Sequence, residues 1–184
     1  MSDVVSRLKE GTDVLVVLFP GHATQFTPNA DGILLLSLIS GRNAEFLIGQ
    51  QVAAARALRE SGMEVMPTGY VLIDGGKESA VEKVSGTRAM DGKEVEKIVD
   101  TAIAGEQMGM KLVYLEAGSG ARCAVSEEVI GAVRGAVEIP LIVGGGIRTR
   151  RQVEGAYRGG ADVVVVGNAL EENPMKLGEL LISK

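Results

Sequence analysis

The chain has 184 residues, 46% hydrophobic and 23% charged, the balance of an ordinary globular protein with ample length for one core. A net charge of −5 and the lack of a basic stripe interleaved with aromatics argue against nucleic acid as a partner. A lone cysteine, Cys123, excludes a disulfide framework; no run reaches the roughly 18 apolar residues of a membrane span, residues 1–8 lack the apolar centre of a secretory signal, and a cytoplasmic location is expected.

Residues 2–10 are predicted to form a short amphipathic helix with Val4, Val5 and Leu8 on one face and Gly11 as its stop. Residues 14–19 are a continuous apolar run, as suits a strand covered on both faces, ending at Pro20-Gly21. Asn29-Ala30-Asp31-Gly32 is turn chemistry, followed by a second buried run over 33–39. Residues 44–60 read as helix, with Phe46, Leu47, Val52, Ala55 and Leu58 near helical spacing. A third strand over 63–73 is interrupted in spelling by Pro67-Thr68-Gly69, and a long polar loop runs from Asp74 to about Gly92, a length that points to function or mobility. A helix over 93–107 closes at Gly109, and residues 111–116 form a strand. Ser126 caps a helix whose first turn carries Glu127 and Glu128. A strand at Leu141, a helix from Thr149 to about Arg158, a strand at Val163 and a C-terminal helix from Asn173-Pro174 complete the chain.

Strands that alternate with helices, each strand nearly all hydrophobic, predict a parallel α/β sheet. Six strands are counted, whereas a closed barrel of this kind, the TIM (β/α)₈ barrel, needs eight and typically about 250 residues. The expectation is therefore a single domain over residues 1–184: a TIM-type barrel with about six βα units, lacking the first two strands. Unpaired edges in such a sheet predict self-association, hence a homo-oligomer.

The strongest chemical signal is Leu141-Ile142-Val143-Gly144-Gly145-Gly146-Ile147-Arg148, where an apolar run stops at three glycines and a helix follows. Residues without Cβ let backbone N–H groups close on an anion, and the helix presents its positive dipole end. Residues 160–168 repeat the plan, ending at Gly167-Asn168. Two such junctions in succession describe the phosphate site of the last two units of a barrel, the alternative being tight turns alone. Glu116 stands at the end of a central strand, where barrel active sites form, as a candidate general base; Tyr114 shares its face, and the Gly118-Ser119-Gly120 loop offers N–H and hydroxyl donors. The competing role for Glu116 is a salt-bridge partner of Arg122 or Arg148. His22, the sole histidine, permits no catalytic triad and reads as an exposed loop residue; Cys123 reads as a small structural residue. One of Arg148, Arg150 and Arg151 is expected to face an anion, Asp74-Gly75-Gly76 is simplest as a turn, and no metal-ligand spacing is present.

With these residues in hand, the chain resembles the geranylgeranylglyceryl phosphate synthase family, which shares its barrel with heptaprenylglyceryl phosphate synthase. The matching segments are Val17-Leu18-Phe19-Pro20-Gly21, Ser37-Leu38-Ile39-Ser40-Gly41-Arg42-Asn43, Leu47-Ile48-Gly49, Pro67-Thr68-Gly69-Tyr70, and residues 114–120, 142–148 and 160–168. The resemblance implies Mg²⁺-dependent transfer of a long prenyl group from its diphosphate to the C3 hydroxyl of sn-glycerol 1-phosphate, for ether-lipid synthesis. By position it implies Glu116 as the base, and Tyr114, Leu115, Ala117, Gly118, Ser119 and Gly120 around the glycerol phosphate. It further implies Gly145, Gly146, Gly167 and Asn168 as the phosphate cradle, Tyr70 in the prenyl groove, and peripheral membrane contact for so apolar a substrate. The chain departs from the family in two places. The strands that carry the family's Mg²⁺ ligands, an aspartate and a Ser/Thr, have no counterpart, and the loop after Thr87-Arg88 reads Ala89-Met90-Asp91-Gly92-Lys93-Glu94, without the usual prolines. Another phosphate-sugar enzyme on the same scaffold, or a phosphate-binding chain without turnover, are the alternatives.

Overall fold

The computed structural model describes residues 1–181. Six parallel strands lie side by side in chain order: β1 (Val17–Leu18), β2 (Gly32–Leu38), β3 (Glu64–Leu72), β4 (Leu112–Glu116), β5 (Leu141–Gly144) and β6 (Val163–Val164). Helix α1 (Ser2–Gly11) precedes them. A π-helical turn (Glu45–Gly49) leads into α2 (Gln50–Glu60) between β2 and β3. Helices α3 (Ala80–Ser85) and α4 (Val95–Gln107) follow β3, α5 (Glu127–Arg134) follows β4, and α6 (Arg150–Arg158) follows β5. After β6 come α7 (Asn168–Glu172), a 3₁₀ turn (Pro174–Lys176) and α8 (Leu177–Leu180). The alternation of apolar strand and helix thus yields the expected parallel α/β architecture, as an open sheet with β1 and β6 at its edges. No helix among the described residues is long and apolar enough to cross a membrane.

The two-residue period of the strands sorts their side chains into two layers. Val71, Val113, Leu115, Leu141 and Val143 face the helices and pack with Ile98, Ala102, Val129, Ile130 and Val133. Leu34, Leu38, Tyr70, Leu72, Tyr114 and Ile142 face the other way and form a second cluster on the inner side of the sheet. Parallel register sets Glu116 of β4 beside Gly144 of β5, so both strands end level on the inner face.

Several expectations are corrected. Residues 14–19 are not a doubly covered strand: only Val17 and Leu18 pair, and Val14, Leu15, Val17 and Phe19 are exposed because β1 has a neighbour on one side only. Val5 alone of its helix face is buried, with Val4 and Leu8 exposed, and Gly11 is the last helical residue rather than a stop beyond it. In α2 the buried positions are Ala54 and Leu58, while Val52 and Ala55 face solvent. Pro67 does not interrupt β3, which runs unbroken. Its carbonyl accepts from the Lys111 N–H at 2.7 Å, and the N and C=O of one strand residue point to the same side; the missing donor therefore falls just before the first β3–β4 pair, Thr68 with Leu112, where no ladder acceptor is lost. The long polar loop contains α3. Ser79 and Glu82 form a reciprocal capping box, and Gly86, at φ 64°, ends the helix in the left-handed conformation. The C-terminal segment from Asn173 is a 3₁₀ turn and one short helix rather than a single helix. Cys123 is exposed, not part of the packed interior.

Candidate active site

The carboxylate of Glu116 lies at the same end of the sheet as both glycine junctions. Glu116, Tyr114, Ser119, Gly145, Gly146, Arg148, Gly167 and Asn168 line one cavity of about 160 Å³, together with Phe19, Ile147 and Val165. Tyr114 sits one step below Glu116 on the inner face and donates its hydroxyl to the carboxylate, and the Gly118 N–H donates to Oε1 at 2.7 Å. Neither Arg122 nor Arg148 pairs with Glu116. Burial holds the Glu116 carboxyl above the usual glutamate range, against the opposing pull of those two donors. Burial, and then the Glu116 charge, push both Tyr114 and Tyr70 well above the ordinary phenol range, so both remain neutral. The result is a strengthened base poised by two neutral hydrogen bonds.

The glycines are demanded by what surrounds them. A Cβ on Gly144 would collide with the Tyr114 hydroxyl. Gly145 has φ 80°, and a Cβ there would meet Glu116 Oε1 and, at 2.7 Å, the backbone nitrogens of Ala117 and Gly118. Gly167, which also lines the cavity, is different: nothing lies within 4 Å of where its Cβ would be. The backbone N–H groups of Gly145, Gly146 and Gly167 make no hydrogen bond among the described residues, which leaves them available to an anion. The Asn168 side chain joins the two sides of the cavity: its Oδ1 accepts from Ser119 Oγ at 3.1 Å and from the Gly120 N–H at 2.9 Å.

The α6 terminus contributes less than its sequence promised. Thr149 and Gln152 form a capping box, and Gln152 Oε1 accepts from the N–H groups of both Arg148 and Thr149, so these donors are used within the protein. Of the three arginines, Arg150 pairs with Glu154, Arg151 is exposed, and half-buried Arg148 lines the cavity. Leu115 and Ala117 belong to the site only through their main chain, because their side chains pack in the helix-facing core; Ala117 N–H donates to the Gly144 carbonyl. His22 is exposed and bonds to Thr24, and Asp74 closes a turn by accepting from the Gly76 N–H.

A second cavity of about 240 Å³ adjoins the first and is apolar. Tyr70 lines it with Phe19, Leu36, Phe46, Val81 and Val84, among others. The aromatic rings of Phe19, Tyr70 and Tyr114 meet where the two cavities join, with Tyr70 and Tyr114 5.4 Å apart between centroids. Tyr70, named above only through the family resemblance, lines this cavity, whereas Phe19 and the wall supplied by α3 were not anticipated, although the α3 capping box was an available signal. The fit of Mg²⁺ is poor: no group of three or more His, Cys, Asp or Glu side chains among the described residues could hold a metal ion, and the single carboxylate of the polar cavity is already engaged by two donors.

The sequence matches the PcrB family over residues 1–184. The chain belongs to the PcrB family. Among relatives, this PcrB-family chain is 54% identical over 172 residues to the geranylgeranylglyceryl phosphate synthase of Zunongwangia profunda, covering 94% of this chain and 74% of that protein. It is 39% identical to the synthase of the same name from Thermococcus kodakarensis, over 94% of this chain and 68% of the relative. Among solved structures, it is similar to (S)-3-O-geranylgeranylglyceryl phosphate synthase from Thermoplasma acidophilum in complex with sn-glycerol-1-phosphate. The TM-score is 0.91 at 34% identity, over 98% of this chain and 72% of that one. Wild-type GGGPS from Thermoplasma volcanium gives a TM-score of 0.87 at 37% identity, over 96% of this chain and 70% of that one.

Proposed function

We propose that this PcrB-family chain is a prenyltransferase. It forms the ether bond between a long-chain prenyl diphosphate, geranylgeranyl or similar, and the C3 hydroxyl of sn-glycerol 1-phosphate. The relatives bearing the synthase name and the Thermoplasma acidophilum complex support the activity and the glycerol phosphate substrate. The six strands correspond on this reading to six of the eight of a TIM-type barrel, with the site at the strands' C-terminal ends. The observation that carries the assignment within this chain is the placement of a buried carboxylate against unpaired glycine amides in one small cavity, beside an apolar groove.

The chemistry follows from that placement. Amides of Gly145, Gly146 and Gly167, with the Arg148 guanidinium, hold the phosphate of the acceptor. Anchoring one end of a three-carbon alcohol fixes its far hydroxyl within reach of Glu116, which converts a bimolecular encounter into a positioned one. The groove lined by Tyr70, Phe46 and Val81 takes the prenyl chain and brings its C1 to the junction. As the C1–O bond to diphosphate breaks, the hydroxyl oxygen attacks C1 and its proton passes to Glu116.

Radiolabel transfer from geranylgeranyl diphosphate to glycerol 1-phosphate tests the activity, and competition by a panel of sugar phosphates tests the acceptor. Glu116→Gln keeps the shape and removes the base, so kcat is expected to fall about 10³-fold with KM for the acceptor little changed. Wild-type turnover in that variant would remove Glu116 from the mechanism. The same substitution has an opposite consequence for stability. A carboxyl whose folded pKa is raised keeps its proton where the unfolded chain has lost it, so stability declines as pH rises from the ordinary value of 4.5 through the raised one. Glu116→Gln is therefore expected to be the more stable protein at pH 8, by an amount that vanishes below pH 4.5 in urea titrations.

A further inference from the structure

Phe19 is the one described residue that lines both the polar cavity and the apolar groove. It follows β1 directly and projects its ring over the inner face of the sheet, 5.3 Å from Tyr114 in an edge-on contact at 68° and 6.4 Å from Tyr70. The three rings form a triangle at the place where any molecule with an apolar tail in the groove and a reacting end at Glu116 must cross from one cavity to the other.

We propose that Phe19 is a catalytic residue that shields the allylic cation formed during transfer and directs it to the glycerol hydroxyl instead of water. The inference rests on the prenyl-transfer reading above. When the C1–O bond breaks, its electron pair leaves with the diphosphate oxygen and positive charge spreads over C1 and C3 of the allyl unit. The negative π-face of an aromatic ring attracts that charge, and an unactivated phenyl ring is a far weaker nucleophile than a hydroxyl or water. Tyr114 lies buried on the polar side and Tyr70 on the groove side of the junction, so of the three rings Phe19 alone reaches both cavities. Two nucleophiles compete for C1. Attack by the glycerol hydroxyl, with its proton passing to Glu116, gives the ether and diphosphate; attack by water gives the prenyl alcohol, diphosphate and a proton. Phe19 follows the edge strand β1 and its ring is half-exposed, so at the junction of the two cavities it is in contact with both the site and solvent.

The test is to incubate the protein with geranylgeranyl diphosphate and glycerol 1-phosphate and to quantify ether and free prenyl alcohol together, after subtracting the enzyme-free rate. Phe19→Ala is expected to raise the alcohol-to-ether ratio roughly ten-fold as water gains access to C1, and to lower the summed rate of both products through the lost cation–π contact, while Phe19→Tyr keeps the ratio within about two-fold of the parent. The ratio does not depend on the folded fraction, because unfolded protein lowers both products alike. An unchanged ratio in Phe19→Ala overturns the proposal, as does a Phe19→Tyr ratio as high as that of Phe19→Ala. Absence of ether from the parent protein overturns the transferase reading and this inference with it, whereas ether formation with an unaltered ratio in Phe19→Ala overturns the inference alone.

Discussion

The polar cavity and the apolar groove share Phe19 but are built by opposite means. The cavity is made of backbone. Its wall comes from glycine junctions whose conformation is set by contacts on every side: Gly144 by the Tyr114 hydroxyl, Gly145 by Glu116 and two backbone nitrogens, and the Ser119-Gly120 segment by Asn168. The groove is made of side chains, drawn from the end of β1, from β2, the π-helical turn, β3 and α3, and two of them, Val84 and Phe19, are 72% and 48% exposed. A phosphate and a short alcohol have one size, so a rigid main-chain mould suits them. A flexible isoprenoid chain needs volume and apolar surface rather than one fixed contact. Single substitutions should therefore be costly in the first region and mild in the second.

The sharpest way to break that contrast is Gly145→Ala. The new methyl group has nowhere to go, since the backbone of Ala117 and Gly118 cannot yield as a flexible side chain would, and φ 80° is unfavourable for any residue with a Cβ. We expect a loss of about 3 kcal/mol in denaturant unfolding, because strain and overpacking act together. A drop of at least about 100-fold in kcat/KM should accompany it, as Glu116 is displaced from its position. A stable Gly145→Ala protein with parental kinetics would show that the mould is softer than its contacts imply.

Arg148→Gln probes the cavity's one cation at a smaller scale. Arg148 is half-buried at the cavity wall and makes no ion pair among the described residues, unlike Arg150, Arg134 and Arg158. Removing a charge-assisted contact to a phosphate should raise KM for glycerol phosphate about ten-fold with kcat nearly unchanged. The salt dependence of KM should weaken in parallel. A fall in kcat at constant KM would instead place Arg148 on the leaving diphosphate.

The same contrast explains what could be read from residue order. The central strands and the cavity were legible because each is local: a β-branched run, a glycine stop and a polar residue are adjacent in sequence, and strand–helix alternation makes β4 and β5 parallel neighbours whose C-terminal ends share one side, although the register of Glu116 with Gly144 is known only from the fold. Edge strands were misjudged because an apolar run says nothing about how many neighbours it has, and residues 14–19 pack on one side only. The groove was mostly illegible, since its walls come from five segments that are distant in sequence and carry no shared spacing. Ser79 and Glu82 did announce α3, but a capping box inside a polar stretch is easily read as loop. Leu115 marks the limit in the other direction: its motif neighbours face the site, yet the two-residue period turns its side chain into the opposite core.

The mildest substitution isolates the groove from everything else. Val84 stands on α3, lines the groove and is 72% exposed, so Val84→Ser gives up almost no packing within the protein itself. The helix is held at both ends by the Ser79–Glu82 box and by Gly86, and stability should stay within about 0.5 kcal/mol of the parent. What changes is the apolar surface offered to the prenyl chain, worth about 1 kcal/mol for some 40 Å² at ~25 cal/mol per Å². KM for geranylgeranyl diphosphate should therefore rise about three- to five-fold, with KM for glycerol phosphate unmoved. A diphosphate too short to reach α3 should lose nothing, because the missing surface lies beyond its tail. If both KM values rise together, the groove and the cavity move as one body, and the division between a rigid mould for the head and an adaptable channel for the tail does not hold.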